Sequence, residues 1–417
     1  MASGNAEPYG PEGLLLEEAR KRLLATIIPL DQPIAQPLHQ TLNRVSAEAV
    51  HSREAVPGFR ASIMDGYALG QTEQPQVGDR WTLQGDSAPG APFSRPLEAG
   101  EAIRILTGAP VPEGSGRVLP QELVKADDKQ LILIKHTAEA SWIRAANEEC
   151  GPGELLLESG VRLSVARIGR LAACGIARLK VHRQVRIGLL ISGDELVPIG
   201  AERQPGAIWE SNGALLEALL ANLNQSVHER RVSSDQPASL KKALQELANN
   251  CDVVVSTGGI SAGASDWIRP LVDELGDVAF WKLFLRPGRP FAFGNLGDGV
   301  PFFGLPGNPV AAAVTALQLL WPALQRMEGQ LIPETFPRLK VQLADRFPHR
   351  PGRPELARAR LEVNDHGSLL ARVNGSQASS RIGSLEDSDL LLEIPAEAET
   401  LEPGTWLWAQ LLRRPVI

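Results

Sequence analysis

The sequence predicts a multi-domain chain built round a doubly wound, parallel α/β domain, with smaller β-rich parts before and after it. Three observations predict this. Between residues 185 and 327, near-continuous apolar runs alternate with amphipathic stretches, as strands buried on both faces alternate with covering helices. Outside that segment, short alternating runs are cut by turns, and the chain holds 39 Gly and 32 Pro to make them. At 417 residues, it is also too long for one ordinary core.

Residues 1–11 are small and polar and read as a tail. From Glu12 to Ile28 apolar residues recur at helical spacing, and Pro29 stops the helix. Residues 32–51 read as extended and then helical. Residues 52–153 hold short strands with turns at Gly85-Asp86, Pro89-Gly90 and Pro112-Glu113-Gly114, the pattern of a small β domain. ELLLESG reads as a strand, followed by a helix that Ser164 caps and Gly175 ends.

VRIGLLIS, starting at Val185, opens the α/β segment. A helix at 211–223, a strand at 226–232, a helix at 237–249 and the strand DVVVS at 252–256 follow. A helix at 266–275, strands at 278–285 and 300–304 and a helix at 310–327 complete it. After Pro333 the runs LKVQLA, ARARLEV, SLLARV, DLLLEI and TWLWAQLL predict a small β-barrel or sandwich.

Composition narrows the function. A formal charge of −7 argues against general nucleic-acid binding, which needs a basic surface. It leaves room for an anionic small substrate held by local cations, helix N-termini or a divalent metal. The three cysteines, Cys150, Cys174 and Cys251, are well separated in sequence and form no CxxC, which fits a reducing compartment. No HExxH, secretory leader or run of about 18 apolar residues occurs. The expectation is a cytoplasmic protein with no membrane span.

In a doubly wound sheet, ligands sit beyond the carboxyl ends of the strands. Three turns there carry polar residues. They are Ser192-Gly193-Asp194-Glu195, Ser256-Thr257-Gly258-Gly259-Ile260-Ser261-Ala262-Gly263 with Asp266 behind it, and Gly304-Leu305-Pro306-Gly307-Asn308-Pro309. Glycines let backbone N–H groups approach a phosphate closely, and Glu195 and Asp266 could hold a divalent cation against it. Taken singly, each turn is equally an ordinary βα connection; three on one edge favour a ligand. Lys282, Arg286 and Arg289 add three cations at the end of another strand, suited to an oxyanion. Neither GxGxxG nor GxxxxGK[ST] is present. On physics alone Asp65, Thr107, Arg144 and the Glu148-Glu149 pair read as turn and surface residues.

Six segments, PGFRASIMDGYA, RILTGAPVP, ISGDEL, STGGISAGASD, FWKLFLRPGRPFAFG and GLPGNPV, together resemble the molybdopterin molybdenumtransferase family, which includes the C-terminal domain of gephyrin. The resemblance covers nearly the whole chain after residue 12. It implies an α/β domain of residues 12–31 and 184–332 and an extended linking domain of 32–51 and 154–183. A small β domain at 52–153 would be inserted in the latter, and 333–417 would form a C-terminal β-barrel. It implies a homodimer whose active site lies between the α/β domain of one subunit and the N-terminal domains of the other.

The implied reaction inserts molybdenum from molybdate into adenylylated molybdopterin and releases AMP. By resemblance the functional positions are Asp65, Thr107, Arg144, Glu149, Glu195, Asp235, Asp266, Lys282, Arg286, Pro306 and Pro309. Glu195 and Asp266 would anchor Mg²⁺. Ser192, Gly258, Gly259, Ser261, Gly263, Arg289, Gly307 and Asn308 would line the phosphate and molybdate site. The implied partners are a separate adenylyltransferase that delivers the substrate and apo-molybdoenzymes that receive the product. Molybdate and tungstate are not separated by any residue.

The chain departs from the family pattern at several positions. Trp142 stands for the usual Asn, Asn147 for Gly, Glu149 for Asp and Arg286 for Lys. Ile191 and Ala311 each replace a frequent Ser. A non-catalytic scaffold of the same fold is the alternative reading. The acids Asp65, Glu195, Asp235 and Asp266 weigh against it, because a scaffold has no need to keep costly charges.

Overall fold

The computed structural model describes residues 13–260 and 267–413. It opens with helix α1 (Leu16–Thr26), whose buried Ala19 and Leu23 enter the main core. Strands β1 (Pro33–Pro37) and β2 (Val50–His51) follow. Between them, where the sequence predicts extended chain and then a helix, there is only one tight helical turn at Leu38–Gln40. Strand pairing takes up the flanks instead.

A small β unit comes next. It comprises β3 (Ala61–Ser62), β4 (Gly66–Leu69), β5 (Arg80–Ser87), β6 (Glu101–Ile105), β7 (Arg117–Pro120), β8 (Val124–Ala126), β9 (Gln130–Leu133) and β10 (Ile143–Arg144). Six of these strands form one sheet in the order β7-β4-β6-β5-β9-β8, and β10 pairs with β3. Leu69, Ala102, Leu119 and Leu131 fill one face and Ala68, Ile103, Ile105 and Val118 the other.

The chain then returns beside β1 and β2. Strand β11 (Leu155–Leu157) pairs with β2, and β12 (Arg178–His182) pairs with β1. Between them runs α2 (Val165–Ala173). The Ser164 hydroxyl accepts from the Arg167 N–H at its start, and Gly175, at φ 74°, ends it as the sequence predicts. Cys150 and Cys174, 24 residues apart, come to an Sγ–Sγ distance of 3.5 Å in this buried layer. Arg162 joins it to the α/β unit through Glu328 at 2.9 Å, both nearly fully buried.

The α/β unit holds β13 (Ile187–Ser192), the short pair β14 (Leu196–Val197) and β15 (Ile208–Trp209), α3 (Asn212–Asn222), β16 (Val227–Ser233) and α4 (Pro237–Asn250). Then come β17 (Val253–Thr257), α5 (Ile268–Leu275), β18 (Gly276–Lys282), β19 (Pro290–Leu296), β20 (Val300–Leu305), α6 (Pro309–Thr315) and α7 (Trp321–Met327). Every residue of β13 and β17 is buried, as the unbroken apolar runs require. The sheet order is β16-β13-β17-β20-β19-β18.

Four neighbouring strands are parallel, giving the doubly wound core that the sequence predicts, whereas β19 runs antiparallel between β20 and β18. The sequence did not announce β19, because Pro290 and Gly294 interrupt the run PFAFGNL. The predicted helix at 310–327 is α6 and α7 joined by a wide π turn at Ala316–Leu320. That turn precedes Pro322, which lacks the N–H that a regular helix needs there.

The last unit is a closed barrel, the form that the family resemblance implies where the strand pattern leaves barrel and sandwich open. It is formed by β21 (Arg338–Leu343), β22 (Glu355–Val363), β23 (Leu369–Val373), β24 (Leu390–Ile394) and β25 (Trp406–Leu411), in the order β21-β23-β22-β24-β25.

Candidate active site

Parallel pairing brings the carboxyl ends of β16, β13, β17 and β20 to one edge of the α/β sheet. Because β19 is antiparallel to both β20 and β18, β18 points the same way as the parallel strands. Its carboxyl end, Lys282, and the turn to β19 that carries Arg286 and Arg289 therefore reach the same edge. Gly288 in that turn packs against α6, where an added Cβ would lie 2.6 Å from Thr315 Cγ2. The three glycine-rich turns and the cationic turn, predicted from separate segments, thus meet.

Local bonds fix the edge. Asn212, at the start of α3, donates from Nδ2 to Thr257 Oγ1 and to the Gly307 carbonyl, both at 2.8 Å. Thr257 Oγ1 donates in turn to the Pro306 carbonyl at 3.1 Å. One amide thus ties the turns after β17 and β20. Gly258 adopts φ 93°, and a Cβ there would stand 2.6 Å from the Ser192 carbonyl. Only glycine lets these two turns approach so closely.

The acids gather at the ends of β13 and β16. The Asp235 N–H donates to Asp194 Oδ1 at 3.0 Å, and the Asp194 N–H points at Asp235 Oδ2 at 3.4 Å. Burial pushes the Asp235 carboxyl pKa up. The Asp194 N–H pulls it back, while the charges of Asp194 and Glu195 push it further up. Ser192 moderates the rise, yet neither its Oγ nor Asp235 Oδ1 completes a hydrogen bond among the described residues. Ser256 Oγ is buried as well and finds no hydrogen-bond partner among the described residues. Such orphans call for a ligand, water or ion.

No three Asp, Glu, His or Cys side chains among the described residues converge on a metal position. Mg²⁺ needs no such cage, since it commonly takes one or two carboxylates and completes its shell with phosphate oxygens and water. The crowded acids and the open Asp235 oxygen fit that pattern. Ser261, Gly263 and Asp266 lie outside the described residues.

The cationic turn has partners that sequence reading missed. Arg286 Nη1 lies 3.4 Å from Glu355 Oε2 of the barrel, and its N–H donates to the Pro354 carbonyl. Arg353 reaches the Leu285 carbonyl at 3.3 Å. Burial lowers its pKa, and the neighbouring Arg286 and Arg289 lower it further. The barrel thus contributes a fourth cation that no local motif signals. It also grips the third glycine-rich turn, because the Val310 N–H donates to the Ser379 carbonyl. Asn212 was missed too, and so was the pairing of Asp194 with Asp235, both being set by strand order rather than by a motif.

A second cluster stands on the small β unit. Asp65 Oδ1 accepts from both the N–H and the hydroxyl of Thr107 at 2.8 Å, which lowers the carboxyl pKa. Strand β10 brings Arg144 alongside β3, and Arg144 pairs with Glu148 at 2.9 Å. Trp142 adopts φ 58°, a left-handed conformation that the usual Asn takes readily, and packs against the core of the small β unit. Glu149 pairs instead with Arg170 of α2, at 2.8 Å. The bonds of Asp65, Thr107 and Arg144 stay within the small β unit, and those of Asp194, Asn212 and Asp235 within the α/β unit.

Three family models match in order: the MoeA N-terminal region (domain I and II) over residues 14–175, the probable molybdopterin binding domain over 188–326, and the MoeA C-terminal region (domain IV) over 340–412. The molybdopterin molybdenumtransferase of Haemophilus influenzae is 32% identical over 392 residues, covering 94% of this chain and 96% of that protein. The chain belongs to the molybdopterin molybdenumtransferase family. It is an enzyme of molybdenum cofactor biosynthesis. Gephyrin of Dictyostelium discoideum is 28% identical, over 89% of this chain and 58% of its own length. The crystal structure of the molybdopterin biosynthesis moeA protein from Pyrococcus horikoshii OT3 matches with a TM-score of 0.81 and 27% identity, covering 95% of this chain and 99% of that one. Among the described residues no helix is long and apolar enough to cross a membrane.

Proposed function

We propose that this transferase inserts molybdenum into adenylylated molybdopterin with release of AMP. The observation that carries the reading is the convergence of close-packed glycine turns, unpartnered buried hydroxyls and a cationic turn on one sheet edge. Gly258, Gly259 and Gly307 would cradle the pyrophosphate with backbone N–H groups, with Ser192, Asn308 and the α6 entry at Pro306 and Pro309 beside them. Lys282, Arg286 and Arg289, joined by Arg353, would hold phosphate and molybdate oxygens and stabilise charge as it shifts. The two dithiolene thiols would take the metal of molybdate, their protons leaving with one oxo ligand as water, and a second water would cleave the P–O–P bond to AMP and the phosphate of the metal-loaded molybdopterin.

Glu195 and Asp266, with Asp235 nearby, would hold Mg²⁺, which offsets phosphate charge when bound. Asp65, Thr107 and Arg144 would complete this edge from the other subunit of a homodimer in the cytoplasm. A separate adenylyltransferase would deliver the substrate, and apo-molybdoenzymes would take the product. The test is reconstitution of an apo-molybdoenzyme by the purified protein with adenylylated molybdopterin and molybdate. Active reconstituted enzyme is expected. Tight substrate binding without reconstitution would replace this reading with a scaffold.

A further inference from the structure

Beside the glycine-rich turns stands an exposed aromatic surface that the reaction above does not use. The β14–β15 pair grows directly out of Asp194-Glu195 and returns into Asn212. It is tied back to the edge by the Ile208 N–H, which donates to the Glu195 carbonyl at 2.8 Å. Its outer residue, Trp209, is 45% exposed, whereas the next residue, Glu210, is buried, accepting from the Gly213 N–H at 2.6 Å and pairing with Arg230. The Trp209 indole is nevertheless held in place. Its Nε1 donates to the Ala201 carbonyl at 2.9 Å, and the Arg203 guanidinium lies over the ring at 3.9 Å from the centroid. Arg203 makes no ion pair with any described residue. These contacts orient the indole but leave nearly half of it in solvent, under a guanidinium that no described carboxylate pairs.

We propose that Trp209 and Arg203 form a stacking platform for a planar heterocycle of the substrate. The inference rests on the transferase reading. Adenylylated molybdopterin carries a heteroaromatic system at each end of a pyrophosphate. With the phosphates in the glycine turns, these ends must extend sideways from the edge, and Trp209 stands three residues from Asn212 on one flank. The purine and the pterin share the required chemistry, a flat heterocyclic π-face next to anionic phosphate. Stacking on an aromatic side chain contributes about 1–3 kcal/mol per base, enough to matter for affinity.

Calorimetric titration of the full chain with AMP, ribose 5-phosphate and molybdopterin tests the platform. W209A is expected to weaken one of the two heteroaromatic ligands roughly 10- to 100-fold. W209F, which keeps a ring but loses the Ala201 bond, should recover most of that loss. R203A should lose part of it, and the exposed barrel residue variant W406A none. Ribose 5-phosphate should be indifferent to all four. AMP and molybdopterin both binding W209A as tightly as wild type would overturn the platform, as would a wild-type protein that binds neither. Base-dependent binding without molybdate-dependent turnover would instead sink the transferase reading and leave the platform standing.

Discussion

Asp194 and Asp235 hold each other across neighbouring strands, each backbone N–H directed at the other's carboxylate. The exchange locks the turns after β13 and β16 together and leaves Asp235 Oδ1 with no hydrogen-bond partner among the described residues. Asp235→Asn keeps the volume and removes the charge. We expect AMP release to fall roughly 100- to 1000-fold, the range typical of a lost electrostatic contact in a catalytic site. The melting temperature should hold or rise, because burial already penalises this carboxylate. Wild-type turnover in the variant would remove Asp235 from the machinery.

The Asp65 cluster and the Asp235 cluster belong to different units, and a shared site in a two-fold dimer predicts complementation. Asp65→Asn and Asp235→Asn proteins, each strongly reduced alone, should regain about a quarter of wild-type activity when unfolded together and refolded at equal concentration. Half the dimers are then mixed, and each mixed dimer has one intact site. Mixtures no more active than the separate variants would place both clusters in one chain or rule one out.

Thr107 keeps the Asp65 carboxyl below the usual carboxylate range, first through its N–H and then through its hydroxyl. Thr107→Val removes only the hydroxyl, so the Asp65 pKa should rise while remaining depressed. A depressed folded-state pKa stabilises above the ordinary carboxylate pKa, and that contribution fades as pH falls through the folded value. The variant should therefore lose the Asp65 charge at a higher pH than wild type. Carbon NMR of the Asp65 carboxyl reads this directly; an unmoved titration would show that the backbone bond alone sets it.

At the opposite end of the sheet, Asp252 joins the starts of β13 and β17. It accepts from Arg183 at 2.6 and 2.8 Å and from the Arg186 N–H at 2.7 Å. Burial alone would raise its pKa, but the Arg183 and Arg186 bonds hold it well below the usual range. Asp252→Asn should cost roughly 2–3 kcal/mol at neutral pH, less than a fully buried pair because Arg186 is half exposed. The loss should shrink as pH falls below the usual carboxylate range, where wild type begins to lose the same contribution. Denaturant melts at pH 7 and pH 3 measure it. An equal loss at both would deny the charge a role.

The parallel core was legible because β13 and β17 are buried on both faces and read as unbroken apolar runs. The edge of the site was legible for a related reason, since glycine-rich turns after such strands can only meet at one side of the sheet. β19 was not, because Pro290 and Gly294 break its pattern while its phenylalanines still pack in the core. Arg353 and Asn212 were not, because a neighbour brought by tertiary packing leaves no local spacing to read. The proximity of Cys150 and Cys174 was hidden for the same reason.

The most direct test of the account is AMP release from adenylylated molybdopterin by the wild-type protein with Mg²⁺, measured with and without molybdate. Molybdate should accelerate this release severalfold or more. Release indifferent to molybdate, or none despite bound substrate, would contradict it.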